Sequence, residues 1–107
     1  MSWLLAHFVG DFLLQTDWMA ANKKKSSLVC LFHIATYLVP FLLTPLLWWQ
    51  IGLIGIQHFA QDRTNVVVWL MRVKGSEDFT KPPCAPWSII VTDNILHILW
   101  MALVVAL

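Results

Sequence analysis

The chain has 107 residues, of which 59% are hydrophobic and only 12% are charged, and its formal net charge is +1. Soluble domains are on average about 25% charged, and a soluble chain of this length has too little interior to bury so much apolar surface. The composition therefore favours a lipid bilayer as the solvent. Without a basic face, the chain offers nothing that would bind nucleic acid.

Four apolar segments follow one another along the sequence, and each is close to the roughly 17 to 25 residues that cross a bilayer as a helix. They cover residues 3–19, 28–49, 51–71 and 87–107. The polar stretches 20–27 and 72–86 hold every lysine and arginine except Arg63. The positive-inside rule places both stretches in the cytoplasm and both termini outside. The prediction is an all-α integral membrane protein, a single four-helix antiparallel bundle.

Polar residues recur at helical spacing within the first two segments. In the first, His7, Asp11 and Gln15 are four residues apart, which places them on one stripe of a helix. The second segment contains His33 and, further along, Pro40 and Pro45. Because proline removes a helical hydrogen bond, these two residues predict a kink or an early helix end.

The third and fourth segments repeat the same pairing of histidine with aspartate. His58 precedes Asp62 by four residues, whereas Asp93 precedes His97 by the same interval. Successive spans run in opposite directions, so the reversed order puts each aspartate on the cytoplasmic side of its histidine. At about 1.5 Å rise per residue, Asp11, Asp62 and Asp93 all lie roughly 9 to 13 Å from the cytoplasmic helix ends. The sequence therefore predicts that these polar groups meet inside the bundle.

This constellation is typical of a metal site. An ionised aspartate in mid-span costs roughly 2.5 kcal/mol or more, so three of them need compensation. Imidazole and carboxylate groups are ligands for zinc, manganese and iron. The predicted cofactor is a divalent transition metal, zinc or manganese rather than magnesium, bound as one ion or two. The candidate ligands are His7, Asp11, His33, His58, Asp62, Asp93 and His97.

Three functions are compatible with this pattern. The first is a metal-dependent hydrolase acting on a lipid or a lipid-linked phosphate or ester, in which Asp11 and Asp62 serve catalysis and Arg63 stabilises developing negative charge. Arg63 can equally act as a counter-charge to Asp62. The second is a proton or metal-ion transport element. The third is a small structural subunit of a larger membrane complex or a homo-oligomer, with a polar core that serves only packing. Lys23, Lys24 and Lys25 are interpreted as a topology signal.

The motifs taken together resemble a known family. His7-x-x-x-Asp11-Phe12-x-x-Gln15, His33, His58-x-x-x-Asp62-Arg63 and Asp93-x-x-x-His97 are similar to the domain-of-unknown-function 3307 family, over nearly the whole chain. The resemblance implies a small integral membrane protein of bacteria or phages, and hence the bacterial inner membrane. It implies no particular activity. Asn94 stands where the family pattern leads us to expect glutamine.

Overall fold

The computed structural model describes residues 1–107, and all of its regular structure is helical, as predicted. The six α-helices are α1 (Trp3–Phe8), α2 (Asp17–Asn22), α3 (Ser27–Leu38), α4 (Trp48–Arg63), α5 (Val66–Val73) and α6 (Trp87–Ala106). A π-helical turn at Val9–Leu13 continues α1, and a 3₁₀ turn at Val39–Leu43 continues α3. A second 3₁₀ turn, Glu77–Thr80, lies in the loop before α6.

Three of the four predicted apolar segments are interrupted, each for a local reason. After the π-helical turn the chain leaves the helix, and the Thr16 side chain accepts a hydrogen bond from the Met19 amide to start α2. Pro40 opens the 3₁₀ turn that ends α3. The third segment becomes extended at Thr64, which separates α4 from α5. Only the fourth segment forms one continuous helix.

Helix length bears directly on the predicted membrane architecture. Among the helices, α6 is long and apolar enough to cross a membrane, while the apolar helical stretches 3–13 and 27–43 are shorter. The early helix end predicted from Pro40 in the second segment is confirmed, and the first and third segments are also divided into shorter helices. A bundle that crosses the membrane four times stays a prediction.

The packing of the helices determines which side chains meet. Helix α4 packs between α3 and α6, and α1 packs against the 3₁₀ turn that follows α3. The π-helical turn approaches α3 so closely that a Cβ atom on Gly10 would lie 2.6 Å from the carbonyl oxygen of Tyr37. Only glycine fits this contact, which brings Asp11, the next residue, beside the interior face of α3.

Many polar side chains are buried and many large apolar side chains are exposed. Nine of the 24 buried residues are polar or charged, including all four histidines, whereas large hydrophobic side chains such as Leu13, Leu28 and Trp48 are more than three-quarters exposed. The apolar core is a small cluster of Ala6, Tyr37, Phe41, Ile54, Met101 and Val104. The surface of the molecule is therefore unusually rich in large apolar side chains.

Candidate metal centre

Four buried side chains converge at the centre of the molecule and form what we call the first donor set: Asp11, His33, His58 and Asp62. Their candidate ligand atoms all lie within 4.8 Å of one another. Asp62 Oδ2 lies 3.1 Å from His33 Nε2 and 2.9 Å from His58 Nε2. Asp11 Oδ1 lies 3.5 Å and 3.7 Å from the same two nitrogens, which are themselves 3.2 Å apart.

These separations match those of a metal coordination sphere. Zinc binds histidine nitrogen and carboxylate oxygen at about 2.0 to 2.2 Å, so the ligand atoms of a tetrahedral site lie roughly 3.3 to 3.6 Å apart. The distances in the first donor set range from 2.9 to 3.7 Å around those values. Two carboxylates also balance the charge of one divalent cation. The first donor set can hold a metal ion.

Three elements supply this set, and local helix geometry aims each side chain. The π-helical turn carries Asp11, α3 carries His33, and α4 carries both His58 and Asp62 four residues apart on one face. The Nδ1 atoms of His33 and His58 are buried and have no hydrogen-bond partner. All polar contacts of these two rings are therefore made through Nε2, and both Nε2 atoms face the carboxylate of Asp62.

A second donor set shares one member with the first and consists of Asp11, Asp93 and His97. His97 Nε2 lies 3.5 Å from Asp93 Oδ2, which is one turn away on α6, and 3.3 Å from Asp62 Oδ1. Gln61 orients Asp93, because its side-chain amide donates to Asp93 Oδ1 at 2.7 Å and to the Asp93 carbonyl at 2.8 Å. The two sets adjoin through Asp11 and Asp62.

Lys23 contributes a cation that the sequence does not lead one to expect. Its Nζ lies 3.0 Å from Asp62 Oδ2 and donates to Gln15 Oε1 at 2.9 Å. Burial alone would lower the pKa of Lys23, but the negative charges of Asp62 and Asp11 outweigh burial and raise the pKa above its ordinary value. Besides any topological role, Lys23 is thus a charged partner of the first donor set.

Two further basic residues, Lys24 and Arg63, connect the lysine-rich turn to neighbouring helices. Lys24 Nζ donates to the carbonyl oxygens of Asp62 and Thr64 at 3.1 and 2.7 Å. Arg63 donates through Nε to Ser27 Oγ and through its terminal nitrogen to the Lys24 carbonyl. Arg63 therefore fastens the lysine-rich turn to α4 and does not contact the aspartates. A catalytic role for Arg63 stays a prediction.

His7 lies beside the donor sets and belongs to neither. Its Nδ1 is 2.8 Å from the Tyr37 hydroxyl, and its Nε2 is 2.8 Å from Asn94 Oδ1. The structure thus offers no free nitrogen of His7 to a metal. The sequence interpretation missed Tyr37, although it is the single tyrosine and follows His33 by four residues, the same interval that links the His/Asp pairs.

A cavity of about 170 Å³ opens beside the donor sets. Five polar residues line it: Asp62, Asp93, Lys23, Lys24 and Asn65. The remaining lining is apolar and consists of Val67, Val68, Ile89 and Ile90. The cavity therefore has a charged side next to the two aspartates and an apolar side between α5 and α6.

Comparison with known proteins places the chain in a family. A family model described as "protein of unknown function (DUF3307)" matches residues 1–107, the whole chain. The chain belongs to the DUF3307 family. No curated protein and no solved structure matches it. The sequence-based assignment is thus confirmed, and the DUF3307 description names no activity that could be transferred to the donor sets.

Proposed function

We propose that this DUF3307 protein is a membrane-embedded, metal-dependent hydrolase that acts on a lipid or a lipid-linked phosphate or ester. One observation carries the proposal. Two imidazole nitrogens and two carboxylates, from three separate helical elements, meet in a buried place at metal-ligand spacing. Burying ionisable groups in an apolar protein is costly. Packing alone does not offset this cost, because interhelical hydrogen bonds in membranes contribute only about 0.6 kcal/mol each.

The membrane assignment is supported by the surface. Large apolar side chains are exposed on α1, α3, α4, α5 and α6, and α6 is long enough to cross a bilayer alone. The basic residues outside α4 lie at the end of α5 and in the two polar stretches 20–27 and 72–86, which the positive-inside rule assigns to the cytoplasm. Multi-pass insertion would then place the donor sets below the cytoplasmic surface of the bilayer. The shorter helices would require the bilayer around the bundle to be locally thinner.

The chemistry of the proposed reaction follows from the residues around the centre. Asp11, His33, His58 and Asp62 would hold a divalent ion, which would lower the pKa of a bound water toward ~7 and so supply a nucleophile at neutral pH. Asp93, held by Gln61 and lining the cavity, can accept a proton at Oδ2. The Lys23 ammonium lies at the same wall, where it can neutralise negative charge that develops on the substrate.

The cavity indicates the class of substrate. Its polar side carries two lysines and its other side four branched aliphatic residues, so it accommodates a group with an anionic or ester head and an apolar continuation. A lipid phosphate or an acyl ester has this character. A freely diffusing polar metabolite would leave the aliphatic wall unmatched.

Elemental analysis of purified protein tests the metal centre without knowledge of the substrate. Wild type should retain zinc or manganese, and Asp62→Ala should lower the metal content at least about 10-fold. The matched control is Asp17→Ala, which removes an exposed carboxylate at the start of α2 and should leave the metal content unchanged. A wild type that stays free of metal after zinc is added would overturn the proposal.

The hydrolase assignment needs its own assay. We expect metal-loaded protein in micelles to release phosphate from phosphatidic acid or fatty acid from a p-nitrophenyl ester, and Asp93→Asn to slow that release. Asp17→Ala again serves as the control. If the protein holds its full complement of metal but hydrolyses neither substrate, the hydrolase assignment is refuted and only the assignment as a metal-binding protein stands.

A further inference from the structure

We propose that the protein binds two divalent metal ions side by side, the second held by Asp11, Asp93 and His97 and bridged to the first by the carboxylate of Asp62. This inference rests on the proposed metal centre and extends it. It assigns the second donor set a separate ion, placed where a substrate in the cavity can reach it. In this arrangement Asp93 is a metal ligand, and this role replaces that of proton acceptor.

The Asp62 carboxylate divides its two oxygens between the donor sets. Oδ2 faces His33 and His58 at 3.1 and 2.9 Å, whereas Oδ1 faces His97 at 3.3 Å. A carboxylate that presents one oxygen to each of two groups of imidazole nitrogens has the arrangement of a bridging ligand. Asp11, which belongs to both donor sets, provides a second bridge.

The stacking of two histidines gives the expected spacing of the ions. The rings of His58 and His97 lie almost parallel, at an interplanar angle of 13°, with their centroids 3.9 Å apart. Each ring directs Nε2 to a different oxygen of Asp62. Ions bound in the planes of the two rings would therefore be separated by about the stacking distance. Bridged ions in two-metal enzymes are about 3.5 to 4 Å apart.

The two sites differ in exposure. The side chains of the first donor set are at most 5% exposed, whereas Asp93 is 22% exposed and lines the cavity. A closed site suits an ion that holds structure, and a site with an open position suits one that meets substrate. The combined positive charge of two divalent ions exceeds the combined negative charge of the three aspartates. The cavity would therefore favour an oxyanion such as a phosphate oxygen.

Metal stoichiometry and spin coupling test the inference on the intact protein. Wild type loaded with Mn²⁺ in micelles should hold two ions per chain, with the multiline electron paramagnetic resonance spectrum of a coupled pair. Asp93→Asn keeps the acceptor for Gln61 but removes the carboxylate, and should halve the manganese content and abolish the coupling. His97→Gln is a second variant of the same site. Asp17→Asn, on the surface, should retain two coupled ions.

The outcomes separate this inference from the proposed function. One uncoupled ion in wild type, unchanged in Asp93→Asn, would refute the second site and keep the first. Two ions that persist in both Asp93→Asn and His97→Gln would place the second ion elsewhere and also refute it. No bound manganese or zinc in wild type would overturn the metal centre itself. The number of bound ions and their spin coupling in wild type can refute the second ion without any variant, so the test remains decisive even if a variant fails to fold.

Discussion

Replacing Lys23 with methionine isolates the charge that balances the first donor set. The substitution keeps an unbranched side chain, one heavy atom shorter than lysine, and removes the ammonium that lies 3.0 Å from Asp62 Oδ2. In metal-free protein, this leaves the carboxylate of Asp62, 2% exposed, without its cation. We therefore expect Lys23→Met to lower the free energy of unfolding of metal-free protein.

The size of the effect follows from burial. Breaking a buried ion pair by removing one partner costs roughly 3 to 5 kcal/mol. The Lys23 side chain is 15% exposed, and imidazoles around Asp62 retain part of the compensation, so we place the loss near the lower limit, at ~3 kcal/mol. A bound divalent ion would compensate Asp62 instead. In saturating zinc, the difference between Lys23→Met and wild type should therefore shrink to about 1 kcal/mol or less.

Denaturation in mixed micelles, monitored by circular dichroism with and without zinc, measures both quantities. The matched control is Lys25→Met in the same turn, where the lysine is exposed and its charge contacts no carboxylate. If Lys23→Met and Lys25→Met have equal stability without metal, the ammonium does not compensate Asp62. If zinc leaves the deficit of Lys23→Met unchanged, the ion does not bind at Asp62.

Four further predictions concern packing, topology and pH. Gly10→Ala should cost roughly 1 to 3 kcal/mol of stability and lower zinc content, because its Cβ meets the Tyr37 carbonyl; a denaturation curve like that of wild type would contradict the close contact. Tyr37→Phe should cost about 1 to 3 kcal/mol by leaving His7 Nδ1 without its partner, but should not alter the number of bound ions; ion loss would place Tyr37 in the site. Glu77→Cys, in a Cys84→Ser background, should react with an impermeant maleimide from the cytoplasmic side only, and labelling from outside would reverse the topology. Zinc affinity measured by calorimetry should fall as pH drops below ~6.5, since the imidazole ligands must be neutral, and a flat profile would exclude histidine ligation.

The convergence of the donor residues was predictable because it depends on two simple regularities. Intervals of four residues place His58 and Asp62 on one helix face, and opposite helix directions account for the reversed order of Asp93 and His97. The all-α class follows from the same apolar segments. Both features depend only on the spacing of residues along the chain, which can be read directly from the sequence.

Pro40 correctly predicted the early end of α3, but the interruptions of the first and third segments and the role of Lys23 were not predictable in the same way. Apolar residues continue through the π-helical turn, so hydropathy does not reveal where the helix geometry changes there. Lys23 lies 39 positions from Asp62 in the chain, and a flexible lysine in a basic run has no local signature of a buried partner. Only the folded arrangement of the turn against α4 brings the two charges together.

The π-helical turn explains how one stripe of residues comes to serve three purposes. Its characteristic bond, from the Leu14 amide to the Val9 carbonyl, spans five residues, so the chain beyond Asp11 is rotated relative to a regular helix. A continuous α-helix would keep His7, Asp11 and Gln15 on one face. Instead, His7 binds Tyr37, Asp11 joins both donor sets, and Gln15 binds Lys23. The π-helical turn that ends the first helix therefore places Asp11 in the donor sets and Gln15 beside Lys23.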